Sequence, residues 1–210
     1  MSIEDQSAPK VRRRKQARPG EIIEAGMGEF VEHGFERARL DRIAKAAGIA
    51  KGTIYLYFES KEVLFEEVVK THVLSVMEAA DADISDVEGT TEMLVQKLLS
   101  RIYEHMTTQN TQTIIRILLT EGDRFPELVQ RYHDVAISKG THVLERFLSR
   151  GIARGEIEPG PMTKVPELLI APIMFYVVNQ IVFSAHKTLD RDAFFAGHVD
   201  MVLRALKMKR

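Results

Sequence analysis

Apolar residues recur three and four positions apart through most of the 210-residue chain, with no sustained period-two alternation bounded by turn signals. That periodicity confines the chain to packed helices, and the expected fold class is all-α with about nine helices. Proline and glycine set the punctuation. Pro19 suits the first turn of a helix, where its missing N–H costs nothing, and Gly34 suits the stop, with Ile22, Ile23, Met27, Phe30 and Val31 as the core-facing stripe between them. Two short units follow, Leu40–Ala47 and Lys51–Phe58, and Ser60 is placed to cap a helix running to about Ala80. The acidic stretch 81–91 lacks helical periodicity and reads as a loop. Further helices are expected near 91–108, 111–122, 126–154, 163–187 and 191–208, with Pro126, Pro161 and Pro166 as breaks and Pro172 as a kink or an adjusted start.

No window approaches the roughly 18 apolar residues of a membrane span, and the opening "MSIEDQSAPK" has no apolar signal-peptide core, so a cytoplasmic protein is expected. The absence of cysteine removes disulfide frameworks, thiol catalysis and cysteine-based zinc sites. The formal net charge of -1 hides an uneven distribution. From Lys10 to Lys61 there are 12 Lys/Arg against 7 Asp/Glu, whereas 62–210 carries 17 against 21. The positive excess sits at the N-terminal end, as suits a segment that meets a polyanion. Residues 1–11 read as a disordered tail, and "KVRRRKQAR" as a cationic arm in which Arg12, Arg13, Arg14 and Lys15 can follow a DNA groove or backbone.

From Leu40 the residue types of a helix-turn-helix appear in order. Leu40, Ile43, Ala44 and Ala47 occupy one face of a first helix, Gly48 stands where the turn demands a positive φ, and Ile49 and Ile54 close a small core. The helix-turn-helix spans about 38–57. The following "KGTIYLYFESKEVLF" (Lys51 to Phe65) resembles the signature of the TetR family of transcriptional regulators, as does "GFERARLDRIAKAAGIAKG" upstream. The resemblance is strong over Pro19 to Val68 and rests beyond that on the number and order of helices. Lys51 and Thr53 open the second helix, where free N–H groups favour phosphate or base edges, and Gly52 permits close approach to a base pair. Tyr55 and Tyr57 lie about 200° apart on a helix and diverge, one toward a base and one toward a phosphate, with Phe58 as the core anchor. Lys61 and Arg39 are placed for further phosphates. The chain departs from the pattern at Ala38, Arg39 and Ala50, where many relatives carry Ser or Thr, so those hydroxyl contacts are missing. Arg39 offers a charge-assisted substitute.

The remaining roughly 140 residues are helical, apolar and slightly acidic. The resemblance implies a variable helical domain that dimerises and binds a small molecule. The division is 12–71 for DNA binding and 72–210 for effector binding and dimerisation. The last two helices are the dimer candidates, through Leu168, Leu169, Ile173, Val177, Ile181, Phe195, Val199 and Val202, with a monomer core as the alternative. Residue type nominates a pocket of Met77, Met93, Ile102, Met106, Arg116, Leu119, Phe125, Tyr132, Phe175 and Asn179 for a small apolar or amphipathic effector. Arg116 and Asn179 stand out because burying them requires a partner. The seven histidines form no metal pattern, no nucleophile or phosphate-loop motif is present, and no cofactor is expected. The expected function is a homodimeric DNA-binding regulator, not an enzyme, repressing a palindromic operator until an effector releases it. The alternative keeps the fold and the DNA but puts a protein partner in place of the effector.

Overall fold

The computed structural model describes residues 8–86, 89–183, 185–186 and 189–206. Side chains of residues 8–18, among them Arg12, Arg13, Arg14 and Lys15 of the basic arm, lie outside the described residues, as do residues 1–7 of the expected tail. Among the described residues there are helices and no strands. In order they are α1 (Ala8–Arg37), α2 (Leu40–Ala46), α3 (Lys51–Ile54), α4 (Lys61–Asp86), α5 (Thr91–Met106), α6 (Gln109–Glu121), α7 (Pro126–Tyr132), α8 (Ser138–Ala153), α9 (Pro161–Lys164), α10 (Ala171–Phe183) and α11 (Arg191–Ala205). A π-helical turn, His133–Ile137, joins α7 to α8, and a 3₁₀ turn, Pro166–Leu169, precedes α10.

Several boundaries differ from those expected. The backbone is helical from Ala8, so Pro19 lies within α1 and not in its first turn. Gly34 does break the helix: its φ of 71° and ψ of 179° interrupt α1 three residues before it ends. Ser60 caps α4 as expected, accepting the Val63 N–H at 3.3 Å. The helix then runs past Ala80 to Asp86, into the stretch read as a loop. Ala80 is buried, and Asp81 pairs with Arg146 of α8, so packing holds the last turns that composition argues against. The expected division at 71/72 falls inside α4, whose Val68, Val69 and Val73 belong to one core. The expected helix 163–187 is divided because Val165, preceding Pro166, takes an extended φ of -132°. Pro172 stands in the first turn of α10, where it lacks no bond.

One core joins the helix-turn-helix to the body. Phe30, Phe35 and Phe65 pack within 5.7 Å of one another by ring centroid, and Phe125 lies 5.1 Å edge-on to Phe35, so α1, α4 and the α6–α7 turn share an aromatic knot. A second core fills the space between α5, α8 and α11, and a third gathers Tyr103, Ile115, Ile173, Tyr176 and Val177. Beside the third, Tyr103 donates its hydroxyl to His198 Nδ1 (3.1 Å), while His198 Nε2 donates to the Leu169 carbonyl (3.0 Å). Burial pushes the Tyr103 phenol up to about 12 and lowers His198, so this bridge from α5 to α11 is neutral.

The dimer expectation needs correction at its phase. Leu169, Ile173, Val177, Val199 and Val202 are buried within the single chain, Ile181 and Phe195 are partly buried, and of the expected face only Leu168 is exposed. On α10 the exposed apolar side chains are instead Phe175, Val182 and Phe183. A helix apolar all round gives periodicity nothing to distinguish its two faces; packing against α5, α6 and α11 selects the stripe through Ile173 and Val177 as the inner one.

Candidate nucleic-acid interface

The turn after α2 closes by a paired hydrogen-bond pattern. The Ile49 N–H donates to the Ala44 carbonyl (2.9 Å) and the Gly48 N–H to the Lys45 carbonyl (3.1 Å). Gly48 takes φ 67°, the left-handed conformation expected of it. The buried Ile43, Ala44 and Ile54 lock α2 to α3, and Phe58 is buried as the expected anchor. The start of α2 is capped from outside. Arg39, at the N-cap, supplies no side-chain cap; the buried Glu29 of α1 accepts the Arg39 N–H (3.0 Å) and Arg42 Nε (2.7 Å). A lone Glu between Met27 and Phe30 on the apolar stripe was the sequence signal for this role.

The expected second helix, Lys51–Phe58, is shorter: α3 is one turn, followed by a tight turn in which Leu56 and Tyr57 N–H groups return to Thr53 and Ile54 carbonyls at 3.1 and 3.0 Å. One turn carries little macrodipole, so Lys51 and Thr53 gain little from standing at a helix terminus, and Ala50 caps nothing with its side chain. Exposure defines the outer surface. Lys51, Gly52, Tyr55 and Leu56 face solvent, Thr53 is half-buried, and Tyr57 packs partly against the core, so the tyrosines do diverge. Leu56, 83% exposed, is the residue the sequence reading passed over. Its signal was an apolar side chain between two tyrosines outside the core register. A Cβ added at Gly52 would meet no atom of the chain within 4 Å, so the fold itself does not require glycine there.

Two expected phosphate contacts are occupied within the chain. Arg39 forms a two-pronged pair with Asp41, both contacts at 3.0 Å. That bond holds the Asp41 carboxyl below its usual range and raises Arg39. Lys61 points its ammonium at the carbonyls of Phe35 (2.7 Å), Glu36 (3.0 Å) and Ala38 (3.4 Å) and lies 4.4 Å from the Phe35 ring centroid. Desolvation lowers its pKa. Lys61 is thus a cap on the end of α1, a role that position alone does not announce because its acceptors are 23 to 26 residues away.

The expected pocket residues do not converge. Ile102 and Met106 border the third core; Phe125, Tyr132 and Met77 pack on the first; Met93, Leu119 and Phe175 are exposed. Burial raises the Tyr132 phenol. Arg116 is exposed on a crevice of about 460 Å³ between α1 and α6, and Leu119 on a separate one of about 540 Å³ beside α7. Asn179 is half-buried with its Oδ1 lacking a hydrogen bond. The residues alike in type are thus spread over core, surface and groove. Among the described residues no cluster of acidic and histidine side chains could hold a metal, and no helix is long and apolar enough to cross a membrane.

Comparison with known proteins matches residues 22–68 to "Bacterial regulatory proteins, tetR family" and residues 88–193 to "Tetracyclin repressor-like, C-terminal domain". The chain is 30% identical over 149 residues to the fatty acid metabolism regulator protein of Bacillus subtilis, covering 70% of this chain and 75% of that one. The fold is shared with the fatty acid degradation regulator FadR from Bacillus halodurans (TM-score 0.75, 21% identity, 88% of this chain and 97% of that one). It is shared too with FadR from Bacillus subtilis, solved in complex with stearoyl-CoA (TM-score 0.71, 23% identity, 89% and 96% covered). With a helix-turn-helix that leaves Lys51, Gly52, Tyr55 and Leu56 outward and family models matching both parts of the sequence, the chain belongs to the tetR family of bacterial regulatory proteins, which are DNA-binding transcriptional regulators and not enzymes.

Proposed function

We propose that this regulator is a repressor that binds a palindromic operator as a homodimer and is released by a long-chain acyl thioester. The observation that carries the DNA half is the outward set Lys51, Gly52, Tyr55 and Leu56 on a turn fixed by Gly48 and Ile49. Thr53 and Tyr57, half-buried beside that set, orient it and reach the duplex with their polar ends. Arg39 adds a phosphate contact only if it leaves Asp41.

The dimer half rests on a corrected surface. Ala171, Phe175, Val178 and Val182 follow one another at helical spacing on α10, and Phe175 stacks on Phe194 of α11 with centroids 6.3 Å apart. Gly197 and Met201 continue that stripe along α11, and a Cβ at Gly197 would meet nothing within 4 Å, which leaves room for close helix approach. An apolar face of this kind suits packing about a two-fold axis, the arrangement that a palindromic site asks of two helix-turn-helix units.

The effector class is supported by the curated relative named for fatty acid metabolism and by the FadR fold solved with stearoyl-CoA. The test is selection of duplexes from a randomised library by the full-length protein, followed by anisotropy titration of the selected DNA with acyl-CoAs of increasing chain length. Enrichment of a palindrome, released by long but not short acyl-CoAs, is expected. Failure to enrich any palindrome at low salt contradicts the DNA reading. Enrichment with no release by any acyl-CoA contradicts the effector and leaves the protein-partner reading, which the solvent-open character of the crevice beside α7 favours.

A further inference from the structure

The joint between the DNA-binding unit and the body is held by a carboxylate from the far side of the sequence. At Gly34 the helical backbone of α1 breaks with φ 71°, which turns the N–H groups of the next two residues away from the helix. Glu121, the last residue of α6, takes both: Phe35 N–H donates to Oε1 at 3.1 Å and Glu36 N–H to Oε2 at 2.6 Å. A Cβ at Gly34 would stand 3.1 Å from that Oε1, so glycine supplies both the backbone turn and the room for the carboxylate. The grip is anchored at its base, because the Glu121 carbonyl accepts the Arg124 and Phe125 N–H groups at 3.0 and 2.9 Å. The same short turn sends Arg124 to an ion pair with Glu36 and sets the Phe125 ring edge-on to Phe35. From the other side Lys61 holds the carbonyls of Phe35, Glu36 and Ala38.

We infer that Glu121 is a positioning residue for operator recognition, fixing the angle at which the helix-turn-helix leaves the body and so the separation of the two reading surfaces in the dimer. This rests on the proposed reading of the protein as a dimeric binder of palindromes. What Glu121 adds to the joint is stiffness. A carboxylate accepting two backbone N–H groups is a strong, directional contact, and it acts on the residues immediately before α2. Beside these bonds stand one ion pair, Arg124 to Glu36, whose two side chains are both exposed, and apolar packing that is non-directional and tolerates rotation which the paired hydrogen bonds resist. One base pair of added spacing shifts a half-site by about 3.4 Å and rotates it by roughly 34°, which a rigid pair of heads cannot follow.

The experiment compares full-length wild type, E121A and E121Q on the palindrome selected by the wild-type protein and on versions with one or two base pairs added to or removed from its centre. Gln keeps the size of Glu and loses one acceptor. Wild type should prefer its selected spacing by at least about tenfold, and both variants should bind the selected spacing more weakly while the preference shrinks to within about threefold. Thermal melts accompany each protein. A role confined to stability would lower the melting temperature and leave the spacing preference intact, which would overturn the inference. If E121A does not fold, E121Q decides by the same ratio. Absence of any selected palindrome for wild type refutes the proposed function itself; a selected palindrome with unchanged preference in both variants refutes only the role of Glu121.

Discussion

At Gly48 the backbone carries φ 67° with open space where a side chain would be, whereas at Gly52 the backbone is helical and the space is equally open. The two glycines therefore separate stability from recognition. Gly48→Ala should cost about 1–2 kcal/mol from left-handed strain alone, read by chemical denaturation. Gly52→Ala should leave stability unchanged or raise it by up to about 1 kcal/mol through helix propensity, yet weaken operator binding about tenfold by standing a methyl group at the closest approach. Loss of stability at Gly52 with normal DNA binding would reverse these assignments. Lys61 makes a second residue-scale test. Lys61→Met should destabilise by about 1–3 kcal/mol by orphaning carbonyls, with little change in the salt dependence of binding. Gly48 was legible because the demand for positive φ is made by adjacent residues. The roles of Lys61 and Glu29 were not, since their partners arrive only when distant helices close.

Between elements, the N-terminus of α5 is fastened to the turn after α8. Glu156 accepts the Thr91 N–H (2.7 Å) and the Thr91 hydroxyl, and takes Arg154 Nε at 2.8 Å. The Thr91 hydroxyl contact, then Arg154, hold its carboxyl down to about 2 from an ordinary 4.5. The folded pKa lies below the unfolded one, so the contribution is complete above about 4.5 and is lost as the pH falls toward 2. Glu156→Gln should flatten the acid side of a plot of melting temperature against pH between those values; an unchanged acid limb would place the staple elsewhere. On α10 the phase is the issue. Phe175→Asp should yield a folded monomer by sedimentation, while Val177→Asp should fail to fold because it buries a charge in the third core. The reverse pattern would restore the expectation read from sequence. Periodicity showed that α10 is helical but could not show which stripe faces inward, since Ile173, Val177 and Ile181 are as apolar as Phe175, Val178 and Val182. The same limit applied at 81–86, where acidic composition suggested a loop and the Asp81–Arg146 pair and Ala80 keep the helix going.

Across the whole molecule, the helix-turn-helix is continuous with the body through the aromatic knot of Phe30, Phe35, Phe65 and Phe125, and α4 crosses the expected domain boundary without a break. The all-α class and the DNA-binding end were legible because local spacing and charge carry them: Gly48, Ile49 and Ile54 are close in sequence, and the basic excess is confined to residues 10–61. A pocket for the proposed effector was not legible, because the residues nominated for it share only their type and the helices distribute them over separate cores and surfaces. On the proposed reading, two copies of this chain meet one palindrome through Lys51, Gly52, Tyr55 and Leu56. The most direct test is a salt titration of full-length protein on its selected palindrome and on a shuffled duplex of the same composition, with stoichiometry measured at saturation. Two chains per palindrome are expected, with affinity falling linearly in logarithm with salt and a preference over the shuffled duplex of about a thousandfold or more at physiological salt. Equal affinity for both duplexes would contradict it.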